Sequence, residues 1–320
     1  MDRLMCSPGP CCVAHLAAVF VPLFMALVPA IGDEPLVAGI PVIGTMAPDG
    51  TNPNFLVAVP GMKWNGSPCW CHDNKLVAFE ANDGDFAHGE LYVFAVKGPF
   101  KGSLRPLGIG GAPSWSPDDE QLAFHVRDGN AENRQPGIWV MNSDGSRREW
   151  MSAGERPKWS PDGKTLLFAA KIDGFPSLYR FDLESKKTTR LLEKKYESIP
   201  GASWSPDGKR IVFIGYTDFT SRTGELVVAS ADSKGEIEPA VIARGRIGWH
   251  PNWSPDGKQI AFTMKENETS GADRIHIVAA DGKSAPERLK NQDRGFRNVE
   301  AEWAPNGLMM VFASDRWWPR

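Results

Sequence analysis

The sequence of 320 residues has little of several features that mark common protein classes. It has five cysteines, and only Cys69 and Cys71 lie beyond residue 12, which is too few for a disulfide framework. The formal net charge is −3, so there is no basic excess and nucleic acid is excluded as an expected partner. Beyond residue 30 no apolar run approaches the roughly 20 residues of a membrane-spanning helix.

Sequence motifs of several enzyme classes are also absent. There is no Gly-x-Ser-x-Gly of a serine hydrolase and no His-Glu-x-x-His of a zinc peptidase. Cys69, Cys71 and His72 are close in sequence, but a structural zinc site needs four ligands and no second pair of cysteines or histidines is present. We therefore expect no catalytic residues, no metal and no cofactor.

The sequence does contain a repeated word, Trp-Ser-Pro-Asp-Gly-Lys, at 159–164, 204–209 and 253–258. Proline fixes φ at the second position of a turn, Ser and Asp accept hydrogen bonds from nearby backbone amides, and glycine accepts a positive φ. A short apolar run ending in Phe follows each copy. The word therefore predicts a tight turn between two buried strands.

Weaker copies of this word complete a set of six, spaced by 44 to 50 residues, whose tryptophans are Trp70, Trp115, Trp159, Trp204, Trp253 and Trp303. Two further apolar segments follow within most units. The period predicts an all-β fold, a six-bladed β-propeller of four-stranded antiparallel blades over residues 36–320. Because only eight residues follow Phe312, strands at 39–43 and 54–58 are expected to pair with the C-terminal blade and close the ring.

The segment before the propeller has a different composition. Residues 13–28 are apolar apart from His15, and Val28-Pro29-Ala30 resembles a signal-peptidase cleavage site. We expect residues 1–30 to be a signal peptide cleaved after Ala30, and the mature chain to be periplasmic or secreted. The alternative is that the leader is retained as a membrane anchor.

The repeated Trp-Ser-Pro-Asp-Gly-Lys word, followed by an apolar strand, resembles the propeller repeats of the TolB family of periplasmic proteins. The resemblance covers the propeller part only, because no segment corresponds to the α/β domain that precedes the propeller of TolB. It implies an exported, monomeric module that binds an envelope protein or peptide or serves as a scaffold. Similar repeats occur in oligogalacturonate lyases, so the alternative is a propeller that binds or acts on carbohydrate.

A propeller of this kind has two unlike faces. We call the face with the Ser-Pro-Asp-Gly turns the turn face, and the opposite one, with longer and more variable connections between second and third strands, the loop face. Variable loops on a rigid scaffold commonly carry recognition. The candidate binding residues, which could also be merely solvated charges, are Arg127, Asp128, Arg156, Asp173, Tyr216, Asp218, Arg222, His250 and Arg297. We expect replacement of Arg127, Arg156 and Arg222 by alanine to weaken binding with little loss of stability.

Overall fold

The computed structural model describes residues 41–127, 135–172, 174–192, 196–231, 239–265, 273–292 and 297–315. The predicted signal peptide at residues 1–30 and the predicted start of the propeller at residue 36 lie outside these ranges, as do Asp128 and Asp173. Among the described residues, no helix is long and apolar enough to cross a membrane.

The described residues form six four-stranded antiparallel sheets, each with its first strand at the central channel. This confirms the predicted six-bladed propeller. Blades 1 to 3 comprise β3 (Trp64–Trp70), β4 (Leu76–Asn82), β5 (Glu90–Ala95), β6 (Leu104–Ile109); β7 (Gly111–Trp115), β8 (Gln121–Val126), β9 (Gly137–Asn142), β10 (Glu149–Ser152); and β11 (Glu155–Trp159), β12 (Thr165–Ala170), β13 (Ser177–Asp182), β14 (Thr188–Arg190). Blades 4 to 6 comprise β15 (Ser198–Trp204), β16 (Arg210–Asp218), β17 (Thr223–Ser230), β18 (Ala240–Arg246); β19 (Asn252–Trp253), β20 (Gln259–Lys265), β21 (Asp273–Ala279), β22 (Glu287–Arg288); and β23 (Asn298–Trp303), β24 (Met310–Ser314), β1 (Val42–Met46), β2 (Asn54–Val57). One 3-10 helix, Phe86–His88, lies between β4 and β5.

The last blade combines strands from both ends of the described chain. β1 pairs antiparallel with β24, with Gly44 opposite Phe312, and β2 pairs with β1 on the outer side. The predicted closure is therefore confirmed, and the ring leaves no open blade edge between the first and last repeats.

Hydrogen bonds within the repeated word explain why it forms a turn. In blade 3 the Ser160 hydroxyl donates to Asp162 Oδ1 at 2.6 Å and accepts the Thr165 amide at 2.9 Å. Asp162 also accepts the Lys164 amide at 3.0 Å, and Gly163 has a φ of +71°. The same bonds recur around Ser205 and Ser254, so each copy closes the first two strands of its blade by the same local chemistry.

The hydrophobic core lies between neighbouring blades. One phenylalanine from the second strand of every blade is almost completely buried, and five of the six repeat tryptophans are at most 9% exposed. The phenylalanines are Phe79, Phe124, Phe168, Phe213, Phe262 and Phe312. Because each contributes a large apolar area to the packing between sheets, the repeat word and the apolar run after it hold the ring together.

Candidate functional site

The central channel is lined by a ring of six residues, one from each blade, that lie in the first strand or, in blade 5, two residues before it. We call Ser67, Ala112, Arg156, Gly201, His250 and Glu300 the channel ring. All five non-glycine members have a left-handed φ of 46° to 59°, a conformation that is unfavourable for such residues. In five blades the first strand pairs with the second strand on both sides of the ring residue, and in each of them the pairing shifts register there. The ring is therefore built on β-bulges, which often lie beside functional sites.

Side chains of the preceding blade stabilise three of these bulges. Each accepts the backbone N–H of a ring residue and comes from the second strand of that blade. The pairs are Ala112 to Glu80 Oε2 at 3.1 Å, Arg156 to His125 Nδ1 at 3.0 Å, and Glu300 to Thr263 Oγ1 at 3.2 Å. The ring geometry thus depends on contacts between blades as well as on local sequence.

Glu300 and His250 form the polar centre of the ring. Glu300 Oε2 accepts the Ser67 amide at 2.6 Å, and its Oε1 lies 3.7 Å from His250 Nε2. Burial raises the pKa of Glu300 to about 7 and lowers the pKa of His250 well below its usual value. A carboxyl and an imidazole that both resist ionisation therefore face each other in the channel.

An ion pair narrows the channel two residues beyond the channel ring, on the side toward the turn face. Lys158 Nζ lies 3.1 Å from Glu302 Oε2, which is also 3.3 Å from Asn252 Nδ2. Burial opposes the charge of Lys158, but the combined attraction of Glu302, Cys69 and Glu300 outweighs burial and raises the pKa of the lysine. Together with the channel ring these groups leave a space of about 10 Å³, enough for about one water. The channel therefore has two separate mouths.

The mouth on the loop face combines arginines with aromatic rings. Arg156 and Arg222 both lie against Trp249, with guanidinium carbons 5.9 and 5.5 Å from the ring centroid. Arg127 lies over Phe86 at 5.5 Å. We call these five residues the loop-face mouth. The structure thus brings two of the three predicted arginines onto one indole, and Trp249 is a member that the sequence alone does not predict.

Carboxylates balance the charge of the loop-face mouth. Each of its arginines has a carboxylate oxygen within 4 Å: Glu80 at 2.8 Å from Arg127, Glu155 at 3.3 Å from Arg156, and Asp273 at 3.8 Å from Arg222. Glu80 is 1% exposed, so its pair with Arg127 is largely removed from water. The mouth therefore presents oriented charges of both signs.

The other predicted site residues have local roles in the structure. Tyr216 is fully buried, and its hydroxyl donates to the Ile247 carbonyl at 2.8 Å, which places it beneath the loop face. Asp218 Oδ1 accepts the amides of its own turn. Arg297 Nε lies 2.8 Å from Asp315 Oδ2 at the edge of blade 6. None of these three lines the space at the channel ring.

A sequence profile of the TolB beta propeller domain (PD40) matches residues 42–215 and 191–317. The chain belongs to this family. No curated protein matches the sequence.

Solved structures give the same fold for this TolB-like propeller. TolB from Acinetobacter baumannii is 20% identical with a TM-score of 0.66, covering 83% of this chain and 66% of its own. A putative TolB from Agrobacterium tumefaciens is 21% identical with a TM-score of 0.69, covering 88% and 99%. The chain thus spans just under two thirds of the first and almost all of the second. An oligogalacturonate lyase from Vibrio parahaemolyticus is 16% identical with a TM-score of 0.49, covering 71% and 68%, and this likeness carries no argument about activity.

Exposed apolar side chains of the TolB-like propeller are concentrated on the loop face. Six large apolar residues are exposed among those that the structure describes: Phe86, Phe100, Ile172, Phe175, Phe219 and Leu308. Four of them, at positions 86, 172, 175 and 219, lie in connections between second and third strands. The sequence signal for them was an aromatic or aliphatic residue inside a variable loop. Exposed apolar residues on the same face as a polar mouth are typical of a recognition surface.

The turn-face mouth has a different chemistry. It is a depression of about 350 Å³ lined by the six repeat tryptophans and by prolines of the turns, with Lys158 and Glu302 at its floor. Its walls repeat from blade to blade, because they belong to the structural word. This mouth therefore lacks the variety of side chains found on the loop face.

Proposed function

We propose that this TolB-like propeller binds a protein or peptide partner at the loop-face mouth and acts in the cell envelope as an exported binding module. The observation that carries the proposal is the grouping of four exposed apolar residues in the loops of the face that also holds Arg156 and Arg222 on Trp249. Arginine and aromatic residues dominate the energetic centres of protein interfaces.

The arginines are held in place before any partner arrives. Arg222 is stacked on Trp249, and Arg127 is fixed by Glu80 at 2.8 Å. Because a stacked or paired side chain has less rotamer freedom to lose on binding, these contacts favour association. Arg156 itself lies on a β-bulge of the channel ring, whose amide is held by His125 of the preceding blade.

The charge balance favours a peptide over an acidic polysaccharide. Each mouth arginine already has a carboxylate within 4 Å, so a polyanion would have to displace protein carboxylates one after another. A peptide segment with both apolar and polar side chains can use the exposed phenylalanines and the oriented charges together. This reasoning separates the proposal from the carbohydrate alternative.

The proposal is tested by capture of partners from envelope extract with two matched double variants. Phe219→Ala with Arg222→Ala removes one exposed phenylalanine and one cation from the loop face. Phe100→Ala with Lys101→Ala removes the same two types of side chain from the turn face. We expect the first variant to lose a protein that the wild type and the second variant retain. Equal capture by all three, or binding only to a polysaccharide array, would overturn the proposal.

A further inference from the structure

Neighbouring turns contact each other around the turn face through a repeated pair of residues. The glycine of each turn lies against the proline of the preceding blade, so that a Cβ built on the glycine would be 3.6 to 4.0 Å from the proline ring. The pairs are Gly163 with Pro117, Gly208 with Pro161, Gly257 with Pro206, and Gly307 with Pro255. Apolar packing between turns is therefore the rule on this face.

The joint between blades 1 and 2 departs from this rule on both sides. His72 stands where the other turns have proline, and Asp119 stands where most have glycine. His72 Nδ1 lies 3.1 Å from Asp119 Oδ1. The two carboxylate oxygens of Asp119 also accept the amides of His72 at 2.7 Å and Asp73 at 2.9 Å. A polar contact thus replaces the proline–glycine contact at this joint.

The first turn also has cysteine in the position of the repeated serine. Cys71 Sγ lies 3.0 Å from Asp73 Oδ1 and accepts the amides of Lys75 at 3.3 Å and Leu76 at 3.0 Å. Lys75 Nζ binds the other oxygen of Asp73, Oδ2, at 2.7 Å. Oδ1 of Asp73 is therefore the oxygen that faces the sulfur. Ligand atoms of Cys71, Asp73 and Asp119 all lie within 4.8 Å of one another.

We propose that Cys71, His72, Asp73 and Asp119 form a binding site for a divalent transition-metal cation of the Zn²⁺ type that links blades 1 and 2. Sulfur, imidazole nitrogen and carboxylate oxygen are the ligand types that this cation takes from proteins. Four ligands at 2.0 to 2.3 Å in a tetrahedron are separated from each other by about 3.3 to 3.8 Å. Cys71, Asp73 and Asp119, whose ligand atoms lie within 4.8 Å of one another, require only small side-chain movements. His72 Nδ1 lies 3.1 Å from Asp119 Oδ1 but outside that group, so its imidazole must turn toward the other ligands to become the fourth.

The chemistry of binding is a simple exchange. The cation accepts a lone pair from each of the four ligand atoms, and the thiol proton of Cys71 passes to solvent. The hydrogen bonds between Cys71 and Asp73 and between His72 and Asp119 are replaced by bonds to the cation. His72 lines the turn-face mouth, whereas the partner site proposed above is on the loop face, so the two sites are separate.

The test uses Co²⁺ as a coloured probe and Zn²⁺ as its competitor. Cys6, Cys11 and Cys12 are replaced by Ser in every protein compared, because free thiols there could also bind Co²⁺. We expect the parent to bind one Co²⁺ with a thiolate charge-transfer band in the near ultraviolet that Zn²⁺ abolishes. Cys69→Ser, which changes the neighbouring buried thiol, should keep the band.

The decisive variant restores the repeat word at the joint. Cys71→Ser with His72→Pro and Asp119→Gly copies the residues of the other turns, so it should fold while losing the band and at least 100-fold in Zn²⁺ affinity. Asp119→Asn, which keeps a hydrogen-bond acceptor, serves if the triple variant does not fold. Zn²⁺ at a hundredfold excess over Kd should raise the Tm of the parent by about 5 °C and leave the variants unchanged. Absence of a band in the parent, or its persistence in the variants, would overturn the site.

Discussion

Replacement of Arg127 by alanine should destabilise the propeller far more than the loss of an ordinary loop charge. Glu80 is 1% exposed; its Oε1 lies 2.8 Å from Arg127, and its Oε2 accepts the Ala112 amide. Removing one partner of a buried ion pair costs about 3 to 5 kcal/mol. Because the Arg127 side chain is 21% exposed, water can reach part of the vacated space, and we expect the lower end, about 3 kcal/mol.

A double-mutant cycle separates this effect from general packing. Urea unfolding followed by tryptophan fluorescence would compare wild type, Arg127→Ala, Glu80→Gln and the double variant. A neutral amide at position 80 leaves no buried charge unpaired, so Arg127→Ala should then cost less than about 1 kcal/mol. A loss below 1 kcal/mol in the wild-type background, or equal losses in both backgrounds, would refute the reasoning.

The remaining predictions concern the turns, the channel and both ends of the chain. Gly208→Val should cost about 2 kcal/mol in urea unfolding without affecting partner capture, because φ is +69° there; full stability would contradict the turn assignment. The unfolding free energy of Glu300→Gln should equal that of wild type below pH 4.5 and exceed it by about 3 kcal/mol at pH 8. The reason is that the wild-type carboxyl, with its pKa raised to about 7, loses its stabilising proton as pH rises. Parallel pH profiles of the two proteins would contradict this. Deleting residues 42–57 should abolish cooperative melting, since β24 loses its partner, and a variant that melts like wild type would argue against closure. Mass spectrometry of the exported protein should find a mature start just after Ala30, whereas an intact leader would indicate an anchor.

The fold could be predicted from the sequence because its signals are local. The turn bonds around Ser160 join residues at most five positions apart, and the same letters recur in other blades. The apolar run after each turn shows which strand is buried. The pairing of N-terminal strands with the last blade could be predicted because the eight residues after Phe312 are too few for that blade's third and fourth strands.

The geometry of the site depends on contacts that are distant in sequence. Arg156 was expected to be an exposed charge at the entry to a first strand, but it lies at a β-bulge within that strand, and its amide donates to His125, 31 residues earlier. The side chains of Arg127 and Arg156 are 21% and 19% exposed, so neither is the exposed charge on which the expectation of little lost stability depends, and we now predict that their replacement costs stability. For Arg222, whose side chain is 47% exposed, the prediction of little lost stability stays unchanged.

The polar joint between blades 1 and 2 shows the same limitation. The sequence shows Cys71 and His72 side by side, yet too few neighbouring ligands to indicate a metal site. The missing carboxylate, Asp119, comes from the next blade, 47 residues away from His72. A recognisable signal existed, because His72 and Asp119 both depart from the repeat word, at two positions that the propeller brings into contact.

Site-specific photo-crosslinking tests most directly the claim that the loop face binds a protein partner. A photoreactive phenylalanine analogue would replace Phe219 on the loop face or Phe100 on the turn face, which are similarly exposed at 58% and 62%. Cells that naturally make the protein would be irradiated and the adducts identified by mass spectrometry. We predict a specific protein adduct from position 219 and none from position 100. An adduct from position 100 alone, or none from position 219, would contradict the proposed binding face.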